Sequence, residues 1–366
     1  MAVPFHGAAV GLLVAAHVCS AHGANATPSA NATSRRLAFV GKTVLPDLWF
    51  IGASKCATTT LAYALTTHPQ LAYLRGEGHI FDGQPAGAPA ARVETLQARI
   101  RDGRHRAGAR PLGLRPDAIV MEYTPHYLFE SSRVPARICA ACRAAGGACA
   151  AARFLVILRD PVDRTVSSWK FKTAAGVERR PLRGAVADGA ERARAMARCV
   201  REHGEARSVA ACPTEALLAS GRERGPKRGL SCAHVGKSLY VYQLRAWWAT
   251  IPRERFRVEL MEQYLASPAP RLAAILAWAG LAPLGASELA RAASIHALST
   301  EVGASVAAQD TPAVRAQLRG IFEAPNRQLD RLLGFCTGYS SCTSGNSSAA
   351  TIPAATTRGS PTRKPD

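Results

Sequence analysis

Acidic residues are scarce in this chain: 26 Asp and Glu stand against 46 Lys and Arg, a formal net charge of +20 over 366 residues. Charged residues of both signs reach only 20%, and hydrophobic residues make up 48%, which excludes a disordered polyelectrolyte. The 30 glycines follow no triplet period, which excludes a collagen-like chain. No internal repeat is present, and no apolar run reaches the roughly 20 residues that span a bilayer comfortably. What is left is a globular protein with a sizeable core, in one large domain or two smaller ones. The positive excess is almost all Arg and sits beside abundant Ala, Gly and Pro, a mixture that GC-rich coding can produce without any ligand. As a functional feature it would steer an anionic partner: nucleic acid is the first thought, and a sulfated or carboxylated glycan serves equally well.

Residues 7–21, GAAVGLLVAAHVCSA, form a short apolar run with small residues at Cys19 and Ala21, as a secretory signal requires. An uncleaved type II anchor is the alternative, because the usual positive n-region is missing. Three glycosylation sequons, at Asn25, Asn31 and Asn346, agree with the endomembrane route and lie in flanking segments rich in small polar residues. The expected organisation is a signal or anchor over 1–21, a glycosylated stem over 22–43, a folded domain over 44–342 and a Ser/Thr/Pro-rich disordered tail over 343–366.

Cys139, Cys142, Cys149, Cys199, Cys212, Cys232, Cys336 and Cys342 would form disulfides in an oxidising lumen, with connectivity that sequence does not choose. A zinc site on Cys139, Cys142 and Cys149 is the competing reading, but it has no second CxxC and no spaced His pair.

Strand-length apolar runs at Asp47 to Gly52, Ala118 to Tyr123, Phe154 to Leu158 and Phe256 to Met261 alternate with helical stretches. The pattern predicts an α/β fold, a single P-loop-like domain with a parallel sheet flanked by helices on both faces. Arg179 to Arg228, rich in Arg, Gly and Ala, reads as an insertion or a loop-helix excursion.

Two segments carry chemistry. In Leu48 to Leu65, LWFIGASKCATTTLAYAL, a buried strand ends at Gly52, a loop of small residues follows, and Thr58 opens an apolar helix. Backbone N–H groups and a helix dipole converge there, with Lys55 as a point charge and Thr58 and Thr59 as hydroxyl donors: an anion site. The Walker A pattern would need Gly at position 54, where this chain has Ser54. In Arg153 to Lys170, RFLVILRDPVDRTVSSWK, a strand runs into Arg159, Asp160 caps the next helix and Pro161 opens it. Asp160, Arg164 and Ser167 share a helical face by spacing, so Arg159 and Ser167 can converge at the carboxyl edge of the sheet. An Arg fork with a hydroxyl suits a phosphate monoester.

Together these segments resemble the sulfotransferase superfamily, specifically the Golgi carbohydrate sulfotransferases. SKCATTTLAYALTTHPQL is similar to their 5'-phosphosulfate loop and LRDPVDRTVSS to their 3'-phosphate motif. Three further stretches are similar to the heparan sulfate glucosaminyl 3-O- and N-sulfotransferase group: Glu77-Gly78-His79-Ile80-Phe81-Asp82, Glu122-Tyr123-Thr124-Pro125-His126-Tyr127, and Lys237-Ser238-Leu239-Tyr240 continuing to Trp247. The late FEAPNRQLDRLLG resembles the closing helix of that group.

The resemblance implies 3'-phosphoadenylyl sulfate (PAPS) as co-substrate, held by Lys55, Cys56, Ala57, Thr58, Thr59, Arg159, Ser167 and Tyr240. It implies Glu77 as catalytic base, with Lys55 stabilising the leaving group and His79 assisting. His79, Asp82 and Tyr123 would line the acceptor site. No metal is expected, because no acidic cluster with magnesium-binding spacing lies near the loop. The expected partner is a glycan acceptor, anionic or neutral, rather than nucleic acid, and the expected compartment is the Golgi lumen or the secretory route.

Departures from the family pattern are specific. Ala57 replaces the loop Gly, which calls for φ below zero there. Tyr123 stands where the 3-O enzymes keep a lysine. A basic Lys-Gly-Arg loop between Leu281 and Thr311 is missing, with Arg222 to Arg228 as a stand-in. Two other readings stay open: a P-loop-type nucleotide-dependent kinase, and a non-catalytic secreted polyanion-binding protein.

Overall fold

The computed structural model describes residues 39–40, 43–44, 46–73, 76–82, 118–144, 151–220, 232–296 and 302–341. The signal or anchor segment, the three sequons, Arg222 to Arg228 and the tail lie outside the described residues. The end of the expected stem forms a small antiparallel ribbon, β1 (Phe39–Val40) with β2 (Thr43–Val44).

Five strands make one parallel sheet: β3 (Leu48–Gly52), β4 (Leu71–Tyr73), β5 (Ile119–Tyr123), β6 (Arg153–Leu158) and β7 (Phe256–Leu260), in the order β4-β5-β3-β6-β7. Every residue of β3 and β5 is buried, as strands covered on both faces must be. The four runs read as strands are all present. The short edge strand β4 was missed: LAY is only three residues long and only its middle residue is fully buried.

The principal helices are α1 (Thr58–Thr66), α2 (Val134–Ala144), α3 (Pro161–Ala174), α4 (Leu182–Ala211), α5 (Tyr240–Trp248), α6 (Pro268–Ala279) and α7 (Pro312–Leu333). α1 packs against α6, while α3, α4, α5 and α7 pack among themselves. α4 forms most of the described part of the stretch Arg179 to Arg228. It is a 30-residue helical element, kinked at Gly204, and it buries Leu182, Ala185, Val186, Gly189, Ala190 and Met196 on one stripe.

One aromatic row stiffens the sheet. Trp49, Phe154 and Phe256 stand in register on adjacent strands, with ring centroids 6.4 Å apart between the first two and 5.0 Å between the last two. Trp247 from α5 packs on Phe154 at 5.7 Å and donates its indole N–H to the Leu128 carbonyl at 3.2 Å. Stacked and edge-on pairs of this kind add stability beyond their buried area.

The disulfide reading holds for Cys199 and Cys212, which are bonded to each other, and for Cys139, Cys142 and Cys336, which are disulfide-bonded as well; it is corrected at Cys232, a buried thiol outside any disulfide.

The packing of α4 gives a direct test. A methyl group at Gly189 would collide with Cβ and Cγ2 of Val235, atoms too close to the backbone to swing away. Overpacking costs about 1–3 kcal/mol, and the gain in helix propensity from Gly to Ala is about 1 kcal/mol. Gly189→Ala is therefore expected to lose stability, by about 1 kcal/mol, in urea unfolding. An unchanged or raised midpoint would show that α4 does not press on that segment as described.

Candidate active site

Connections leave β3 toward β4 and β5 on one side, whereas β6 continues to β7 on the other. The crevice between β3 and β6 is thus the switch point of the sheet, the place where open α/β folds bind ligands. Both sequence-defined segments end there.

The loop after β3 is built from left-handed backbone. Lys55 has φ 70° and Ala57 φ 56°, so the expectation of a negative φ at Ala57 is corrected. Only by turning left-handed can so short a loop curl over the end of β3 and still hand the chain to α1. Such residues cost about 1–3 kcal/mol each and persist only where their surroundings fix them. Ala57 is the N-cap of α1 and supplies no side-chain cap, which leaves the helix start to whatever binds there.

Two buried side chains do the fixing. Arg164 is 0% exposed. Its Nε donates to the Ser54 carbonyl at 3.0 Å, Nη2 to Ser54 Oγ at 3.1 Å, and Nη1 to the His234 carbonyl and Ser238 Oγ at 2.8 and 3.2 Å. On the helical face that Arg164 shares with Asp160 and Ser167, Arg164 turns back onto the loop, while Ser167 stays half-buried with its hydroxyl unbonded among the described residues. Tyr240, also buried, donates to the Arg159 carbonyl at 2.9 Å and lies 3.7 Å from Cys56 Sγ. Cys56 is a buried thiol, pushed up to about 11 by burial. Cys56 and Tyr240, expected as ligand contacts, thus sit behind the loop as its support.

On the open side stand the cations. Lys55 Nζ lies 4.1 Å from the Phe171 ring centroid, and its pKa is lowered by burial and by neighbouring Arg164 and Arg159. Arg159 Nη1 donates to the Lys55 carbonyl at 3.5 Å, and its buried Nε has no hydrogen-bond partner. Asp160 caps α3 as expected, accepting from the Asp163 N–H at 2.9 Å.

Beside the loop a cavity of about 170 Å³ is lined by Thr59, Ala62, Tyr63, Tyr73, Gly76, Glu77 and Tyr123. The Tyr123 hydroxyl lies 3.2 Å from Thr58 Oγ1 and 3.2 Å from Thr59 Oγ1, which ties the cavity wall to the start of α1. Glu77 Oε2 accepts from His79 Nε2 at 2.8 Å, and Asp82 Oδ2 from His79 Nδ1 at 2.6 Å. The hydrogen bonds that His79 donates to Asp82 and then to Glu77 raise it to about 10, so the ring is an imidazolium bridging two carboxylates at neutral pH. The family resemblance grouped Glu77, His79 and Asp82, which the structure brings together, and Tyr123 stands on the cavity wall with Glu77. Sequence reasoning missed Tyr63 and Tyr73, cavity walls that carry no motif, and the anchoring role of Arg164.

No protein-family model and no curated protein sequence matches the chain. A solved structure does: the sulfotransferase from Alicyclobacillus acidocaldarius superposes with a TM-score of 0.51 over 81% of this chain and 98% of that one, at 19% identity. The sulfotransferase domain from the curacin biosynthetic pathway aligns over 80% and 98%, at 12% identity and a TM-score of 0.39, too low to bear on the fold. The first likeness establishes that the chain has the sulfotransferase fold.

Proposed function

We propose that the protein transfers a sulfuryl group from PAPS to a hydroxyl or amino group of a carbohydrate acceptor in the secretory pathway. The observation that carries this reading is the juxtaposition of an uncapped, cationic loop with a carboxylate–imidazolium–carboxylate relay on the rim of a neighbouring cavity.

The residues present suit a doubly anionic nucleotide. Lys55 and the first-turn N–H groups of α1 face one anionic end, and Arg159, with its buried Nε unpartnered, offers a donor to the other together with Ser167. When bound, PAPS supplies an activated sulfuryl group on a phosphate leaving group. The half-desolvated ammonium of Lys55 meets the charge that grows on that leaving group. His79 holds one oxygen of Glu77, and no described residue bonds the other, which is available to take the acceptor proton. Tyr63, Tyr73 and Tyr123 give the cavity ring faces against which a sugar can stack.

Calorimetric titration with adenosine 3',5'-bisphosphate, and separately with ATP and magnesium, tests the cofactor assignment. The bisphosphate is expected to bind without metal and to lose affinity by about 100-fold in Arg159→Ala, the equivalent of about 3 kcal/mol for charge-assisted hydrogen bonds. Binding of ATP in preference to the bisphosphate would move the protein to the kinases. Heparin binding unaffected by Lys55→Ala and Arg159→Ala, with no bisphosphate binding, would make it a polyanion-binding protein.

A further inference from the structure

Glu122 lies at the carboxyl end of β5, fully buried, in register with Trp49 of β3. A carboxyl group in that position needs an explanation, because neither cofactor loop nor cavity touches it. Its Oε1 accepts from Thr124 Oγ1 at 2.7 Å, and Thr124 Oγ1 in turn accepts from the backbone N–H of His79 at 3.0 Å. Its Oε2 has no hydrogen-bond partner. The loop from Glu77 to Asp82 is laid directly on this carboxyl: a methyl at Gly78 would collide with Glu122 Oε1, and the Gly78 N–H reaches the Tyr123 carbonyl at 3.2 Å. His79 itself is held at φ 50°, left-handed, on this support. The next two N–H groups, of Ile80 and Phe81, are taken by the Tyr127 hydroxyl at 3.0 and 3.1 Å.

We propose that Glu122 is a positioning residue of the acceptor site, acting through Thr124 on the backbone of His79 to hold the imidazole between Glu77 and Asp82. This deepens the reading of Glu77 as base and rests on it for its catalytic meaning, though not for its test. The titratable groups that face Glu122 are Asp82 and His79 from the loop above and Tyr127 from the turn that follows β5. Burial raises Glu122 to about 8, so the group is a neutral acid at pH 7 and adds no charge beneath the relay. The sign of the linkage follows. The pKa is higher in the folded chain than the ordinary 4.5, so the stabilisation is complete below about 4.5 and is lost as pH rises to about 8.

The test reads the ionisation of His79 by NMR, with the resonance assigned by its disappearance in His79→Gln. In the unmodified protein the imidazole is expected to titrate near 10. Glu122→Met fills the same space without an acceptor for Thr124, and Thr124→Val removes the hydroxyl at constant shape. Each is expected to bring the His79 pKa down by about one unit or more toward its free value. Glu122→Gln keeps the carbonyl acceptor and should restore the high value, while abolishing the loss of thermal stability between about pH 4.5 and 8. Should folded Glu122→Met and Thr124→Val both leave His79 titrating near 10, Glu122 would be core filling and the proposal overturned. Should Glu122→Met fail to fold, Thr124→Val decides in the same way. Because the readout is a proton on His79 and not turnover, the base assignment at Glu77 can fail while this proposal stands, and the reverse.

Discussion

Glu77→Gln is expected to lower kcat by about 10²- to 10⁴-fold at pH 7, the range for loss of a general base, while the affinity for adenosine 3',5'-bisphosphate is unchanged. Glu77 lines the cavity, whereas the donors proposed for the nucleotide stand on the β3 loop and at the end of β6. The amide keeps the shape of the side chain and can still accept from His79, so geometry survives and only proton acceptance is removed. The measurement is formation of the bisphosphate from PAPS in the presence of a glycan acceptor panel, with calorimetry on the same variant. Near-normal turnover with intact nucleotide binding would remove Glu77 from the role of base. The role of His79 is separable by pH. Its raised pKa means that the imidazolium clamp is in place at neutral pH and disappears only as pH rises through about 10.

Arg164→Lys is expected to cost about 2–4 kcal/mol of stability and to weaken bisphosphate binding by about 100-fold or more. A lysine can place one ammonium, whereas the guanidinium reaches Ser54, His234 and Ser238 at once. The Ser54 carbonyl and hydroxyl lose their guanidinium donors, and each unsatisfied group costs about 1–3 kcal/mol. The His234 carbonyl and Ser238 hydroxyl keep their bonds to Thr165 and to each other, so the loss of stability falls on the loop. Affinity falls because the two left-handed residues of the loop, Lys55 and Ala57, lose the strut that holds them in a conformation they would not adopt alone. Thermal unfolding and calorimetry read the two effects separately. A variant with unchanged Tm and Kd would show that the loop holds its own shape.

Much of the scaffold was legible because buried parallel strands leave continuous apolar runs such as LWFIG and FLVIL. The helix Leu182–Ala211 was not, although its signal was present. Its first buried residues follow a three- and four-residue spacing, but Ala185, Gly189 and Ala190 among them are small, and the surrounding arginines dominate the composition. Glu77, His79 and Asp82 were grouped by the resemblance of one six-residue segment to a family motif, and the structure brings the three side chains together. The anchoring role of Arg164 was not legible because its partners, Ser54 and His234, are 110 and 70 residues away, and helical periodicity cannot tell a solvated arginine from one whose acceptors come from distant segments. Ala57 went astray for a related reason. A preference for negative φ is a property of alanine, whereas the observed φ is imposed by the loop and what braces it.

The placement of Lys55 and Arg159 has a consequence for what the protein can accept. Arg159 follows directly on β6, which is hydrogen-bonded to β3 and tied to it by the Trp49–Phe154 pair, whereas Lys55 stands past the end of β3 in the loop that Arg164 braces. One side of the gap between the two cations is therefore set by the sheet and the other by the loop and its strut. A ligand that needs a different spacing of charge has to move the loop against the bonds from Arg164 to Ser54, while Arg159 stays with the sheet. Under the proposed function, selectivity for the sulfuryl donor is then as firm as that brace.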